Sequence, residues 1–318
     1  MKKYKIRTDL IIDDPNLKGK TIKYGNISVT NVKSNGNYIT IMLNDIDNNS
    51  DIEKCKEILG NEIKKLLKIN NISDLDECLI IGLGNRKSTA DSLGPLVIDN
   101  IKVTRHLSQV GNVSNIRNVA SFSPGVMGNT GIESSDIIIS LISTVKPKFV
   151  IAIDALASSS IERINKIVQI TDTGIHPGSG VGNNRREISK NTIGIPVIAL
   201  GIPTVVSSAV IARDTFDYMI KHLSYIKNNM NTSKLSIRRF GNYKDKIKDM
   251  KLDSEEMNNI AGILGSLNEK ERYNLFNEVL DSINENLIVT STEIDFIIKK
   301  LSLLIANSLN DILYRQIS

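Results

Sequence analysis

Residues 22–43 alternate apolar with polar positions. Ile27 and Val29, then Ile39, Ile41 and Leu43, recur with period two, the spacing of a strand with one face buried. Asn35-Gly36 lies between the two stretches and predicts a tight hairpin, because both residues tolerate positive φ. After the polar loop at 44–49 the period changes. Ile52, Cys55, Ile58, Leu59, Ile63, Leu66 and Leu67 recur at three- and four-residue spacing, which predicts a helix to about Ile69, opened by a capping box of Ser50 and Glu53. Short unbroken apolar runs follow at 78–83, 149–153, 167–170 and 197–200, as in strands buried on both faces. Helical spacing lies between or after them at 93–107, 133–143, 158–165 and 205–223. Strands alternating with helices predict an α/β fold, a mostly parallel sheet flanked by helices.

Residues 224–251 are polar and rich in Asn and Lys, and read as a long surface loop. Helices are expected beyond it at 254–264, 268–280 and 291–313, the last opened by a capping box of Thr290 and Glu293. The organisation expected is an N-terminal β/α extension at 10–75, an α/β core at 76–225, a polar loop at 226–252 and C-terminal helices packed on the core at 253–318. Residues 191–212 carry no charge, but Pro196, Gly201, Pro203, Thr204, Ser207 and Ser208 interrupt them. A buried strand, a turn and a helix start fit that stretch better than a membrane span, so no membrane partner is expected. The N-terminus is charged without an apolar core, so a secretory signal is not expected.

With 41% hydrophobic and 24% charged residues, the 318-residue chain has the balance of a globular protein and not of a disordered one. The net charge of +5 is spread along the sequence, and aromatic residues make up only 4% with no Trp. That is poor material for stacking on bases, so direct nucleic-acid binding is not expected. Cys55 and Cys78 lie on or beside apolar runs and read as small buried residues in a reducing, cytoplasmic compartment, not as a disulfide framework.

A zinc-binding His-Glu-x-x-His helix, a Walker A loop and a Gly-x-Ser-x-Gly elbow are all absent. Gly82-Leu83-Gly84 follows a strand, but Lys87 stands where a dinucleotide site has its third glycine. The glycine-rich stretch from Gly178 to Gly182 reads either as a flexible turn or as a substrate-facing loop. Two acids stand out. Asp91 lies in the loop after the first core strand and Asp154 at the carboxyl end of the second, the edge where open α/β sheets bind ligands. Two close carboxylates do not both ionise easily, so one can act as base on a water while the other, protonated, donates to the leaving group. Each can equally be a helix N-cap. His176 is the histidine on a loop expected to share that edge, as metal ligand, general acid or hydrogen-bonded turn residue. His106 and His222 fall in helical patterns and read as structural. No metal or other cofactor is expected.

Gly82-Leu83-Gly84-Asn85 with Asp91-Ser92-Leu93-Gly94-Pro95, Thr104-Arg105-His106-Leu107, Pro124-Gly125-Val126-Met127-Gly128, Ala152-Ile153-Asp154-Ala155-Leu156-Ala157, the run from Thr171-Asp172-Thr173-Gly174-Ile175-His176 to Asn183, and Gly201-Ile202-Pro203-Thr204-Val205-Val206 together resemble the germination proteases of spore-forming bacteria. The resemblance runs from Arg7-Thr8-Asp9-Leu10 to the last helix. It implies an α/β fold related to the hydrogenase maturation proteases, and an endopeptidase that begins the degradation of small acid-soluble proteins in the spore core on germination. It further implies a zymogen, a homotetramer and an unusual aspartic-type chemistry, whose two essential aspartates fall on Asp91 and Asp154. Asp172-Thr173-Gly174 is not given a pepsin-like role. The processing site carries over to the Asp9–Leu10 bond, with residues 1–9 as propeptide. Arg185, Arg186 or Lys190 could then supply a basic subsite for the acid before the cut. Some positions depart from the family: the propeptide is short, Ser207 stands where an acid usually follows Thr204-Val205-Val206, and Arg86 and Lys87 make the loop before Asp91 basic, which would lower its pKa if they lie close. The competing readings are a metal-dependent maturation-type protease using Asp91, Asp154 and His176, a non-catalytic nucleotide-binding protein, and a structural spore component.

Overall fold

The apolar runs converge on one sheet, which positions everything that follows. A computed structural model describes residues 8–14, 16–111, 116–178, 186–228, 247, 250, 252–283 and 287–314. Within them the strands are β1 (Lys20–Tyr24), β2 (Ile27–Lys33), β3 (Asn37–Leu43), β4 (Cys78–Gly82), β5 (Val119–Phe122), β6 (Phe149–Ala157), β7 (Ile167–Thr171), β8 (Val197–Ser207) and β9 (Ile288–Val289). The helices are α1 (Asn49–Ile69), α2 (Leu93–Ile98), α3 (Arg105–Val110), α4 (Met127–Thr130), α5 (Ser134–Val145), α6 (Lys190–Ile193), α7 (Ser208–Asn228), α8 (Ser254–Ala261), α9 (Ile263–Ser266), α10 (Glu269–Ser282) and α11 (Ile294–Leu313).

The sheet order is β1-β2-β3-β7-β8-β6-β4-β5, with β9 on β8. The α/β class and flanking helices are as expected, and the pairing is mixed. β5, β4, β6 and β8 run parallel, whereas β1, β2, β3 and β7 continue the sheet antiparallel. The N-terminal extension is therefore part of the same sheet, joined through β3 and β7. Alternation divides the sheet residues between two cores. Ile80, Ile151, Ile153, Ile198 and Leu200 face α1, α2 and α11, while Leu79, Ile81, Val150, Ala152 and Ala199 share the opposite face with Leu10 and with Ile138 of α5. Cys55 and Cys78 are both free and buried.

Two compact units separate, and they do not follow chain order. One holds residues 7–158, 162–205 and 290–318, and contains most of the sheet with α11 against α1 and α2. The other holds residues 159–161 and 206–289, with α10 and α8 against α7. Of the C-terminal helices, α11 alone belongs to the unit of the sheet. In the second unit Arg213 is buried, and its guanidinium bonds the Asp214 carboxylate at 2.6 Å and the Ser159 carbonyl. Most of the expected polar loop lies outside the described residues.

Several local expectations change. The helix expected at 93–107 is two helices. Asn310 of α11 takes the Lys102 N–H at 3.1 Å and donates to the Asn100 carbonyl at 2.9 Å, satisfying backbone that a continuous helix would use itself. The cap of α1 is Asn48, whose side chain accepts from Ser50 and Asp51 N–H, so the helix starts before the expected box. The Thr290 hydroxyl does not cap α11 but donates to the Thr204 carbonyl at 2.7 Å. The stretch 158–165 holds only the 3-10 turn Ile161–Arg163. β5 was not anticipated. No helix among the described residues is long and apolar enough to cross a membrane.

Candidate active site

The geometry begins where β4 ends. Leu83 N–H donates to the Ile153 carbonyl at 2.8 Å, extending the parallel β4–β6 ladder by one step and setting Leu83 beside Asp154. The chain then loops through a 3-10 turn at Thr89–Asp91 and comes back over Gly84. Gly84 has φ +108°, and a Cβ there would stand 2.1 Å from the Asp91 carbonyl oxygen and 3.1 Å from its Oδ1. Only glycine allows that approach. Asn85 N–H donates to both the main-chain oxygen and Oδ2 of Asp91, each at 2.9 Å. The loop is held from β8 as well, since the buried Thr204 hydroxyl donates to the Ala90 carbonyl at 2.7 Å. The glycines Gly82 and Gly94 serve the same close packing, because a Cβ on Gly82 would meet Gly94 O at 2.4 Å. They bring α2 onto β4.

Asp154 is not at the end of its strand. β6 continues to Ala157, so the helix-cap alternative does not apply to it. Its side chain is 5% exposed, and Oδ1 accepts the Ala155 N–H at 2.9 Å. The Asp91 turn lies against β6. Asp91, in the turn after β4, and Asp154, in β6 beyond the end of β4, thus both follow the carboxyl end of β4 in the parallel part of the sheet. Asp91 does not cap a helix either, since Ser92 takes that position for α2.

Arg86 is engaged away from Asp91. Arg86 forks onto Asp99 through Nη2 at 2.8 Å and through Nη1, and donates to the Pro95 carbonyl at 3.3 Å. That hydrogen bonding holds the Asp99 carboxyl below its usual range. The guanidinium of Arg86 is thus engaged by a carboxylate eight residues beyond Asp91 in the chain.

His176 departs from expectation for a topological reason. β7 runs antiparallel to β8 with Thr171 opposite Ala199, so the loop after β7 leaves the sheet at the amino end of β8, away from the rim of Asp91 and Asp154. The exposed imidazole stands 3.8 Å from Glu187. It lines a cleft of about 250 Å³ whose lining includes Thr8, Asp9, Gln169, Glu187 and Gly201 and neither of the two acids. Asp172 of Asp172-Thr173-Gly174 is taken up by the Asn37 N–H at 2.8 Å and by the side-chain amides of Asn37 and Asn70. Arg186 approaches Asp136 at 3.9 Å, and Arg185 lies outside the described residues. No group of three or more His, Cys, Asp or Glu able to hold a metal occurs among the described residues.

The expected processing site is anchored to the same sheet. Asp9 N–H donates to the Ala157 carbonyl at 3.1 Å, and Ala157 N–H donates to Asp9 Oδ2 at 2.9 Å. Gln169 Nε2 donates to the Asp9 carbonyl at 2.9 Å, and Ile11 N–H donates to Gln169 Oε1 at 2.7 Å. Leu10 is 3% exposed. The Thr8 hydroxyl donates to Asp13, which pairs with Arg163. Gln169, Thr204 and Ala157 were missed from the sequence. The available signal was a Gln inside an apolar strand, because a buried polar side chain must be bonded to something.

Comparison with known proteins agrees with these motifs. The sequence profile described as Germination protease matches residues 6–318. The germination protease of Bacillus subtilis is 45% identical over 294 residues, covering 90% of this chain and 80% of its own. That of Geobacillus sp. is 41% identical over 323 residues, covering 97% and 86%, and that of Bacillus cereus is 39% identical over 351 residues, covering 100% and 96%. Among solved structures, a [NiFe] hydrogenase maturation protease from Thermococcus kodakarensis is 18% identical over 41% of this chain and 74% of its own, with a TM-score of 0.26, a likeness too slight to bear on the chemistry.

Proposed function

The chain belongs to the germination protease family and is a peptidase, and we propose that it is an endopeptidase of the spore core, made as a zymogen, that opens small acid-soluble spore proteins when the spore germinates. In this reading Asp91 and Asp154 share the work on one water. One carboxylate takes its proton as the oxygen attacks the peptide carbonyl, and the other, protonated, gives a proton to the departing nitrogen. The carrying observation is that β4 and β6 are parallel neighbours, with Asp154 in β6 one register step beyond the end of β4 and the Asp91 turn that follows β4 against β6. The same centre would cut Asp9–Leu10 to mature the chain. Assembly as a homotetramer belongs to the same proposal.

Incubating the protein with a small acid-soluble spore protein at mildly acidic pH, with mass spectrometry of the products, tests this. Asp91→Asn and Asp154→Asn should each lower cleavage by about 10²- to 10⁴-fold. Full activity in either variant overturns the two-acid reading. Loss of activity on chelation with rescue by one particular metal would instead support the metal-dependent alternative.

A further inference from the structure

Gln169 interrupts the apolar run Ile167-Val168-Gln169-Ile170 and is only 6% exposed. A buried side-chain amide needs partners for both its ends. Here both partners belong to one short stretch, the Asp9 carbonyl on Nε2 and the Ile11 N–H on Oε1. The amide thus treats residues 9–11 as a neighbouring strand would, with the Asp9–Leu10 peptide bond between its two contacts. The register adds a second observation. Gln169 is opposite Gly201, and Gly201 is opposite Asp154. Residues opposite one another across a sheet share a face. Gln169 and Asp154 therefore belong to one transverse row and one face, two strand spacings or about 10 Å of main chain apart. Leu10 lies on that face, in an apolar cluster with Leu156, Ile175 and Ala199.

The geometry points to Gln169 as a substrate-positioning residue of the peptidase, its amide N–H holding the carbonyl of the bond to be cut. This rests on the reading that Asp91 and Asp154 cut Asp9–Leu10. In that cut the water oxygen bonds to the Asp9 carbonyl carbon, one water proton passes to the basic carboxylate, and the bond to the Leu10 nitrogen breaks as that nitrogen takes a proton from the acid. Gln169 exchanges no proton. It fixes the carbonyl and donates to its oxygen as negative charge gathers there, a contact that strengthens in the transition state. The same cradle suits an acid before the cut, met by Ala157 N–H, and an apolar residue after it.

The test uses the full chain with Gln169→Ala, Gln169→Glu or Asp154→Asn, following release of the Leu10 N-terminus by intact mass, with circular dichroism to confirm the fold. Gln169→Ala should slow processing by about 10²-fold or more. Gln169→Glu keeps the shape. Ionised, it faces the Asp9 carbonyl with an acceptor, whereas protonated it donates again, so its rate relative to the unsubstituted chain should recover as pH falls through about 4. A purely structural role gives no such recovery. An unchanged rate in Gln169→Ala beside an inactive Asp154→Asn overturns the role of Gln169 and leaves the acids standing, and so does a relative rate in Gln169→Glu that is flat with pH. Full processing in Asp154→Asn overturns the two-acid reading and this role with it.

Discussion

Gly84→Ala is the most direct perturbation of the rim, because it changes no chemical group and displaces one. The added methyl would stand 2.1 Å from the Asp91 carbonyl oxygen, at a backbone φ of +108°. Holding a non-glycine residue in that region costs roughly 1–3 kcal/mol. Relieving the overlap costs about another 1–3 kcal/mol, since the obstacle is backbone and not the end of a flexible side chain. The sum is about 2–6 kcal/mol, and at about 2–4 °C per kcal/mol for a body of 150–250 residues the melting temperature should fall by roughly 4–24 °C. Chemistry should fall further than stability. The oxygen that must retreat accepts the Asn85 N–H, and Oδ2 of the same residue shares that donor. The assay is thermal unfolding with cleavage measured well below the transition, where the folded fraction is complete. Gly128→Ala is the control, because its added Cβ meets nothing within 4 Å and its φ is not positive. A Gly84→Ala protein that melts within about 1 °C of the unsubstituted chain, against a shift several times larger expected from the strain, and cleaves at the same rate would refute the argument.

Two further outcomes are expected. Burial pushes the Cys55 thiol up to about 12 from 9.0, so native protein should resist iodoacetamide at neutral pH and label only on unfolding. Labelling at the rate of a free thiol would contradict this. The linked effect has a definite sign. Below about pH 9 the thiol is neutral in both states, whereas above it only the unfolded chain ionises, so stability should fall by about 1.4 kcal/mol per pH unit toward pH 12. Cys55→Ala should lessen the slope in alkaline denaturation curves, and the share of the buried Cys78 thiol, pushed up in the same way, should remain. In the second unit, Arg213→Ala removes the partner of the buried Asp214 and should cost about 3–5 kcal/mol, seen as a lower denaturation midpoint for α7 and α10.

What was legible from the sequence was whatever depends on local periodicity. The Asn35-Gly36 hairpin, the long α1 and the buried runs of β4, β6, β7 and β8 all announce themselves in spacing. What was not legible depends on partners far along the chain. Nothing near residue 100 says that Asn310 will claim its backbone, and nothing near His176 says that β7 is reversed. That reversal removes His176 from the rim, because a loop's position depends on strand direction, which a short apolar run does not encode. Asp91 and Asp154 were candidates in the sequence because a loop after one strand and the carboxyl half of the next lie on the same side of a sheet whenever two parallel strands are neighbours.

The join between β3 and β7 has a bearing on how the protein is made. Tyr38 pairs with Thr171 and Ile41 with Val168, so the N-terminal hairpin leaves the ribosome long before its neighbour exists. Closing so distant a contact is slow and comes late. The segment around Asp9 waits on the same stretch of polypeptide, since Ala157 and Gln169 are synthesised well after it. Timing of this kind is a safeguard written into topology: a nascent, half-finished molecule has no cradle in which the proposed cut at Asp9–Leu10 could be presented.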